Sequence, residues 1–147
     1  VVPVITQTAI GKRKEMTVFG SDYDTRDGSC VRDYIHVMDI ANAHTKALQY
    51  IIESRNKNNC EVFNLGTGNG VSVLELIDAF EKVSGEKLNY KIGPRRPGDV
   101  VSVYANNNKA RKLLGWETQY DLDAMMDTAW KWENIYAQMK KATAPVA

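Results

Sequence analysis

Arg32, Arg95 and Arg96 are the residues of this chain best suited to holding an anion. Arg32 sits in the run Cys30-Val31-Arg32-Asp33-Tyr34-Ile35-His36-Val37, and the other two lie in a loop bracketed by glycine and proline, Gly93-Pro94-Arg95-Arg96-Pro97-Gly98-Asp99. A guanidinium fork donates parallel hydrogen bonds to phosphate, and an α/β sheet can bring distant residues together at its loop ends. The competing reading makes them solvent-facing charges or members of structural ion pairs, which is the common fate of arginine. Asp99 can accept from a ligand hydroxyl, orient Arg96, or cap the turn. Tyr34 and Phe19 offer ring surface that suits a nucleobase or the protein core.

Other chemistry-bearing patterns are weaker. Gly66-Thr67-Gly68-Asn69-Gly70 can expose backbone amides to phosphate between a strand and a helix. It matches neither GxxxxGK[ST] nor GxGxxG, because Val71 stands where the third fingerprint glycine belongs. Asp33, His36 and Asp39 could move protons, yet on a strand Asp33 and His36 point to opposite faces. His36 and His44 form no HExxH, and Cys30 and Cys60 form no CxxC. The residues therefore support no zinc site and no cysteine nucleophile, and the two thiols read as reduced.

The 147 residues suffice for one compact domain with its own core and are few for two ordinary ones. Nineteen Lys and Arg against 18 Asp and Glu leave a net charge of +1, so overall charge supports neither nucleic-acid nor anionic-membrane binding, although a local anion site stays open. No apolar run approaches the roughly 18 residues of a membrane span, and no basic leader precedes an apolar stretch. A soluble, cytoplasmic protein is the expectation. The opening Val1-Val2-Pro3 reads either as a chain cut near a structural element or as a processed terminus.

The elements that must position these residues alternate between helix and strand. Pro3 through Ala9 predicts a first helix ending near Gly11, and Met16 through Phe19 a short strand followed by an ordered loop from Gly20 to Ser29. Cys30 through Val37 predicts a strand. Asp39 then caps a helix carrying Ile40, Ala43, Ala47, Leu48 and Ile51 on its apolar stripe. Val62 through Leu65 predicts another strand before the glycine turn. Ser72 and Glu75 have capping-box spacing for a helix that buries Val73, Leu74, Ile77, Phe80 and Val83 and stops at Gly85. Leu88 through Ile92 and Val100 through Tyr104 read as extended. Asn106 or Asn107 caps a short helix ending at Gly115, and Asp121 caps a last helix with Leu122, Met125, Met126, Ala129, Trp130, Glu133 and Tyr136 on a mixed apolar face. The fold class is α/β over residues 1–139, with a flexible tail expected over 140–147.

Val18-Phe19-Gly20-x-Asp22-Tyr23-x-Thr25-x-Asp27-Gly28, continuing through Val31-Arg32-Asp33-Tyr34-Ile35-His36-Val37-x-Asp39, strongly resembles the C-terminal part of UDP-glucose 4-epimerases. Asn64-Leu65-Gly66-x-Gly68-x-Gly70-x-Ser72-Val73, then Arg95-Arg96-x-Gly98-Asp99, Tyr104-Ala105-Asn106 and Leu114-Gly115-Trp116 resemble the same part in the same order. These segments cover nearly the whole chain. The resemblance implies the small substrate-binding part of an extended short-chain dehydrogenase/reductase, which supplies much of the UDP-sugar pocket. NAD and the catalytic Tyr/Lys pair would belong to an N-terminal Rossmann region absent here, as GxxGxxG does not occur and Tyr34 is followed four positions on by Met38 in place of a lysine. It implies no catalytic residue and no metal ligand in this chain, which alone would be inactive, and a possible homodimer when complete.

By the same resemblance, Arg32 and Arg96 grip the UDP diphosphate and Asp99 contacts a ribose hydroxyl. Met16, Thr17 and Phe19 line the nucleotide end, while Tyr34 and Val73 help form the UDP pocket. Arg95 is the poorer partner for the clamp. Arg26 stands where many relatives carry an acid, and Cys30 where many carry glycine. Val103 occupies a sugar-wall position that varies between bulky aromatic and small residues, so both UDP-glucose/UDP-galactose exchange and UDP-N-acetylhexosamine exchange stay open. Another UDP-sugar epimerase, dehydratase or decarboxylase, and a noncatalytic nucleotide-sugar binding module, are the alternatives.

Overall fold

The computed structural model describes residues 1–142; residues 143–147 lie outside the described part. In chain order the elements are α1 (Val2–Ala9), β1 (Met16–Phe19), β2 (Val31–Arg32), α2 (Val37–Ile52), β3 (Val71–Ser72), α3 (Val73–Ser84), β4 (Tyr90–Gly93), α4 (Asn108–Leu114) and α5 (Leu122–Ala142). The architecture is α/β. Where length alone leads one to expect a single compact body, the chain clusters into two units. The first holds Val1–Cys30, Ser72–Val101 and the chain from Leu122 onward; the second holds Val31–Val71 and Ser102–Asp121.

In the first unit β1 and β4 run parallel, with Met16 opposite Tyr90 and Phe19 opposite Gly93. The period of two along β1 buries Met16 and Val18 and turns Thr17 and Phe19 the other way. Helix α3 starts in the expected capping box, in which Ser72 Oγ accepts from the Glu75 amide and the Glu75 carboxylate accepts from the Ser72 amide. It ends at Gly85, whose φ of 73° is the left-handed conformation glycine adopts cheaply. Leu76, Ile77, Ala79 and Phe80 are buried, whereas Val73, Leu74 and Val83 are only partly so. Phe80 meets Trp130 of α5 edge to face at 5.5 Å. Between α1 and α5 the buried Glu133 carboxylate is satisfied by Lys12 and by the Thr6 hydroxyl, which a buried charge requires.

The second unit packs Ala43, Tyr50, Ala110, Leu114 and Trp116 together, with Ile35, Ala47, Phe63, Leu65 and Leu113 against them. Helix α4 ends at Gly115 in the left-handed conformation; the Asn107 side chain makes no cap, and Asn106 Oδ1 instead accepts from the Asn108 amide. β2 pairs with β3.

Several expectations need correction. The strand predicted over Cys30 through Val37 stops after Arg32, because the Asp33 carboxylate binds backbone from elsewhere in the unit and pulls the chain out of register. Val62 through Leu65 is no strand: no strand pairs with it among the described residues, and Phe63 and Leu65 serve the core instead. Val100 through Tyr104 keeps only a bridge from Ser102 to Val31. His36, not Asp39, caps α2, its Nδ1 accepting from the Met38 amide. Leu48 and Ile51, placed on the apolar stripe of α2, are exposed. Helix α5 continues through Ala142, so positions 140–142 are helical where a tail was expected.

Candidate functional site

In the first unit, the outward face of β1 and the loop after β4 bring three of the expected binding residues together. Phe19 is 42% exposed, and the Arg96 guanidinium lies over its ring, 5.7 Å from the centroid. Arg96 Nη2 donates to Asp99 Oδ1 at 2.7 Å, and this hydrogen bond to the carboxylate pushes the Arg96 pKa up. Asp99 is largely covered while Arg96 stays 62% exposed, so the fork keeps donors facing outward and its orientation is held by one carboxylate. Thr17 shares the Phe19 face. The Met16 side chain is buried on the opposite one, so Met16 can serve that face only through its backbone.

Arg95 has a different assignment. Its Nε donates to Asp22 Oδ1 at 2.8 Å, its Nη2 to the Asp22 carbonyl at 2.6 Å, and its guanidinium stacks 4.4 Å from the centre of Tyr23. The Arg95 hydrogen bond holds the Asp22 carboxyl below the usual carboxylate range. Gly20 makes this packing possible: a Cβ there would stand 2.3 Å from the Tyr23 ring. Val73 is partly buried in the first turn of α3, its amide donating to the Cys30 carbonyl at 3.2 Å.

The second unit holds Arg32, Tyr34 and Val103. The Val31 carbonyl accepts both from Arg32 Nη1, at 2.8 Å, and from the Val103 amide, at 3.0 Å, which sets the Arg32 guanidinium beside the Val103 backbone. Val103 is 52% exposed, and Tyr34 is partly buried. Arg32 and Arg96 thus belong to different units.

Asp33, read in the sequence only as a possible proton carrier, is the latch of this unit. Oδ1 accepts from the Thr67 amide at 2.8 Å and the Thr67 hydroxyl at 2.9 Å, and Oδ2 accepts from the Ala105 amide at 2.8 Å. Gly66 is required beneath it, since a Cβ there would lie 2.1 Å from Oδ2. The glycine turn accordingly aims the Thr67 amide at this carboxylate. Asp39 works similarly, its buried carboxylate accepting from the Gln119 and Tyr120 amides while its carbonyl accepts from the Trp116 indole. His36 stacks on Tyr120 at 4.3 Å. An Asp separated from its partners by more than 30 positions carries no local signal for such a role. Among the described residues no group of three or more His, Cys, Asp or Glu could hold a metal ion, and no helix is long and apolar enough to cross a membrane. Cys30 is buried and Cys60 exposed, and neither is in a disulfide.

Comparison with known proteins gives the same direction. Residues 1–129 match the family model described as GDP-mannose 4,6 dehydratase. The UDP-glucose 4-epimerase of Rhizobium meliloti (strain 1021) is 50% identical over 133 residues, covering 90% of this chain and 40% of that protein. The bifunctional UDP-glucose 4-epimerase and UDP-xylose 4-epimerase 3 of Arabidopsis thaliana is 51% identical over 133 residues, covering 90% of this chain and 38% of that protein. Among solved structures, a UDP-glucose-4-epimerase from Stenotrophomonas maltophila with bound NAD and formylated UDP-arabinopyranose superposes with a TM-score of 0.89 at 45% identity, over 94% of this chain and 40% of that one. The UDP-Glc/GlcNAc 4-epimerase of Campylobacter jejuni superposes with a TM-score of 0.82 at 42% identity, over 91% of this chain and 40% of that one. The chain spans about 40% of the length of the relatives it matches. It belongs to the family that the GDP-mannose 4,6 dehydratase model describes, and within the extended short-chain dehydrogenase/reductase superfamily it stands with the UDP-glucose 4-epimerases.

Proposed function

We propose that this chain is the C-terminal, UDP-sugar-anchoring part of an NAD-dependent UDP-glucose 4-epimerase that interconverts UDP-glucose and UDP-galactose. The observation that carries the reading is the grouping of Phe19, Arg96 and Asp99. It offers a ring for an aromatic base, a guanidinium fork for phosphate and a carboxylate for a sugar hydroxyl, in a family of nucleotide-sugar enzymes.

In this reading Arg32 and Arg96 each donate to the diphosphate, and Asp99 accepts from a ribose hydroxyl while it orients Arg96. Phe19 and Thr17, with the backbone of Met16, border the nucleotide, and Tyr34 and Val73 wall its pocket. Val103 borders the sugar. Binding the UDP handle spends its free energy far from C4, which positions the reacting sugar while leaving it able to turn. NAD, which supplies the hydride chemistry, would be held by an N-terminal Rossmann region outside this chain, because the glycine turn here serves Asp33. The exposed apolar residues of α2, Val37, Met38, Leu48, Ile51 and Ile52, support such a completing region, since an uncovered apolar helix face favours burial.

UDP-N-acetylhexosamines are a second substrate class in this reading. Val103 is small and half exposed, and the Campylobacter jejuni relative is named for both UDP-Glc and GlcNAc. The test is to join the chain to a Rossmann-containing segment and assay NAD-dependent interconversion. Turnover supports the epimerase, whereas UDP-sugar binding without turnover replaces it with a noncatalytic nucleotide-sugar module.

A further inference from the structure

The first three amides of an α-helix have no partner within the helix and must find one elsewhere. In α3 the loop from Gly20 to Cys30 and the cap residue satisfy all three. The Val73 amide donates to the Cys30 carbonyl, the Leu74 amide to Ser29 Oγ at 3.3 Å, and the Glu75 amide to Ser72 Oγ at 3.1 Å. Asp27 ties this arrangement together: one carboxylate oxygen accepts from the Ser72 hydroxyl, the other from the amide and hydroxyl of Ser29. Glu75 closes it, since the carboxylate that accepts from the Ser72 amide is also gripped by both Nε and Nη2 of Arg26.

The two ends of this ring differ in kind. Ser72, Glu75 and Asp27 form a cap of the sort many helices carry, whereas Arg26 reaches across from the loop and has no capping duty of its own. Its side chain is 46% exposed and that of Glu75 is 39% exposed. An ion pair so open to water adds little to global stability. Its bidentate geometry is directional, however, and fixes the loop to the helix in one orientation. The Arg26 hydrogen bond also holds the Glu75 carboxyl below the usual carboxylate range.

We propose that Arg26 is a positioning residue of the nucleotide-sugar site: its guanidinium fork fixes the Gly20–Cys30 loop to the first turn of α3 and thereby sets the place of Val73. This rests on the reading of Val73 as part of the UDP pocket. Arg26 itself touches no substrate. Arg26→Glu sets a third carboxylate beside Glu75 and Asp27 and opens the clasp, while Arg26→Lys keeps the charge without the fork.

The test is steady-state kinetics of the complete enzyme with UDP-galactose, together with amide hydrogen exchange at Val73, Leu74 and Glu75. For Arg26→Glu the expected result is a KM raised about 3- to 10-fold with kcat within about twofold, an intermediate KM for Arg26→Lys, and faster exchange at the three amides. An unchanged KM in Arg26→Glu, with the wild type active, overturns the positioning role and leaves the epimerase reading intact. If the wild type proves inactive toward UDP-sugars, the epimerase reading fails and exchange alone decides: unchanged protection in Arg26→Glu overturns the clasp, and faster exchange upholds it as a device that orders α3.

Discussion

Removing the Asp33 carboxylate is the sharpest perturbation of the second unit. It accepts three hydrogen bonds, two from Thr67 and one from the Ala105 amide, all at 2.8 to 2.9 Å. A hydrogen bond to a charged acceptor contributes about 1.5–3 kcal/mol. Thr67 and Ala105 are only partly buried, so water can recover some of that on truncation. Taking the low end for each bond and discounting one of them for rehydration, Asp33→Ala should destabilise the unit by about 3 kcal/mol. Asp33→Asn retains one acceptor oxygen and should cost about half as much. Trp116 lies in this unit and Trp130 and Trp132 in α5, so urea unfolding followed by fluorescence in a Trp130→Phe, Trp132→Phe background reports on Asp33's own surroundings. An unfolding free energy in water for Asp33→Ala within about 0.5 kcal/mol of the parent would refute the latch, because surface substitutions lie in that range.

The 147-residue chain alone should neither retain NAD nor epimerise UDP-galactose; dinucleotide content and product formation after purification check this, and robust turnover by the homogeneous chain contradicts it. Val103→Tyr in the complete enzyme should lower the ratio of UDP-N-acetylgalactosamine to UDP-galactose activity by roughly tenfold or more, as bulk in a pocket wall discriminates on that scale. An unchanged ratio removes Val103 from the sugar wall. The Glu75 and Asp27 carboxyls both sit below their ordinary values: for Glu75 the Arg26 hydrogen bond is the main cause, and for Asp27 the bonds from Ser72 and Ser29 outweigh its partial burial. A depressed folded-state pKa gives stability that is present above the unfolded value and lost as pH falls through the folded one. Protection of the α3 amides should therefore hold at neutral pH and fall below about pH 4, and in Arg26→Glu it should begin to fall at higher pH.

Local signals made much of the first unit legible. The capping box at Ser72 and Glu75 and the stop at Gly85 are contiguous patterns whose physics is complete within a few residues, and α3 follows them. The strand Met16–Phe19 was legible too, but its parallel partner was not, because pairing across a long connection leaves no mark in either strand. Cys30 through Val37 misled through its β-branched and aromatic residues. Its conformation is decided by Asp33 reaching Thr67 and Ala105, and tertiary bonds of that kind override strand propensity. The cap on α2 moved to His36 because Asp39 is spent on Gln119 and Tyr120. At the site, Arg96 and Asp99 are close in sequence and their pairing could be anticipated, whereas the Arg95 bond to Asp22 and the Arg96 stack on Phe19 join distant segments.

The claim on which the account stands is that Arg32 and Arg96 anchor the UDP diphosphate. Titration calorimetry with UDP on the complete protein, with circular dichroism to verify folding of each variant, tests it most directly. Arg32→Ala and Arg96→Ala should each weaken binding by about 1.5–3 kcal/mol, roughly 10- to 150-fold, the worth of a charge-assisted hydrogen bond lost without unfolding. NAD retention should change far less. UDP affinity equal to that of the wild type in both folded variants would contradict the account and return the two arginines to surface charge.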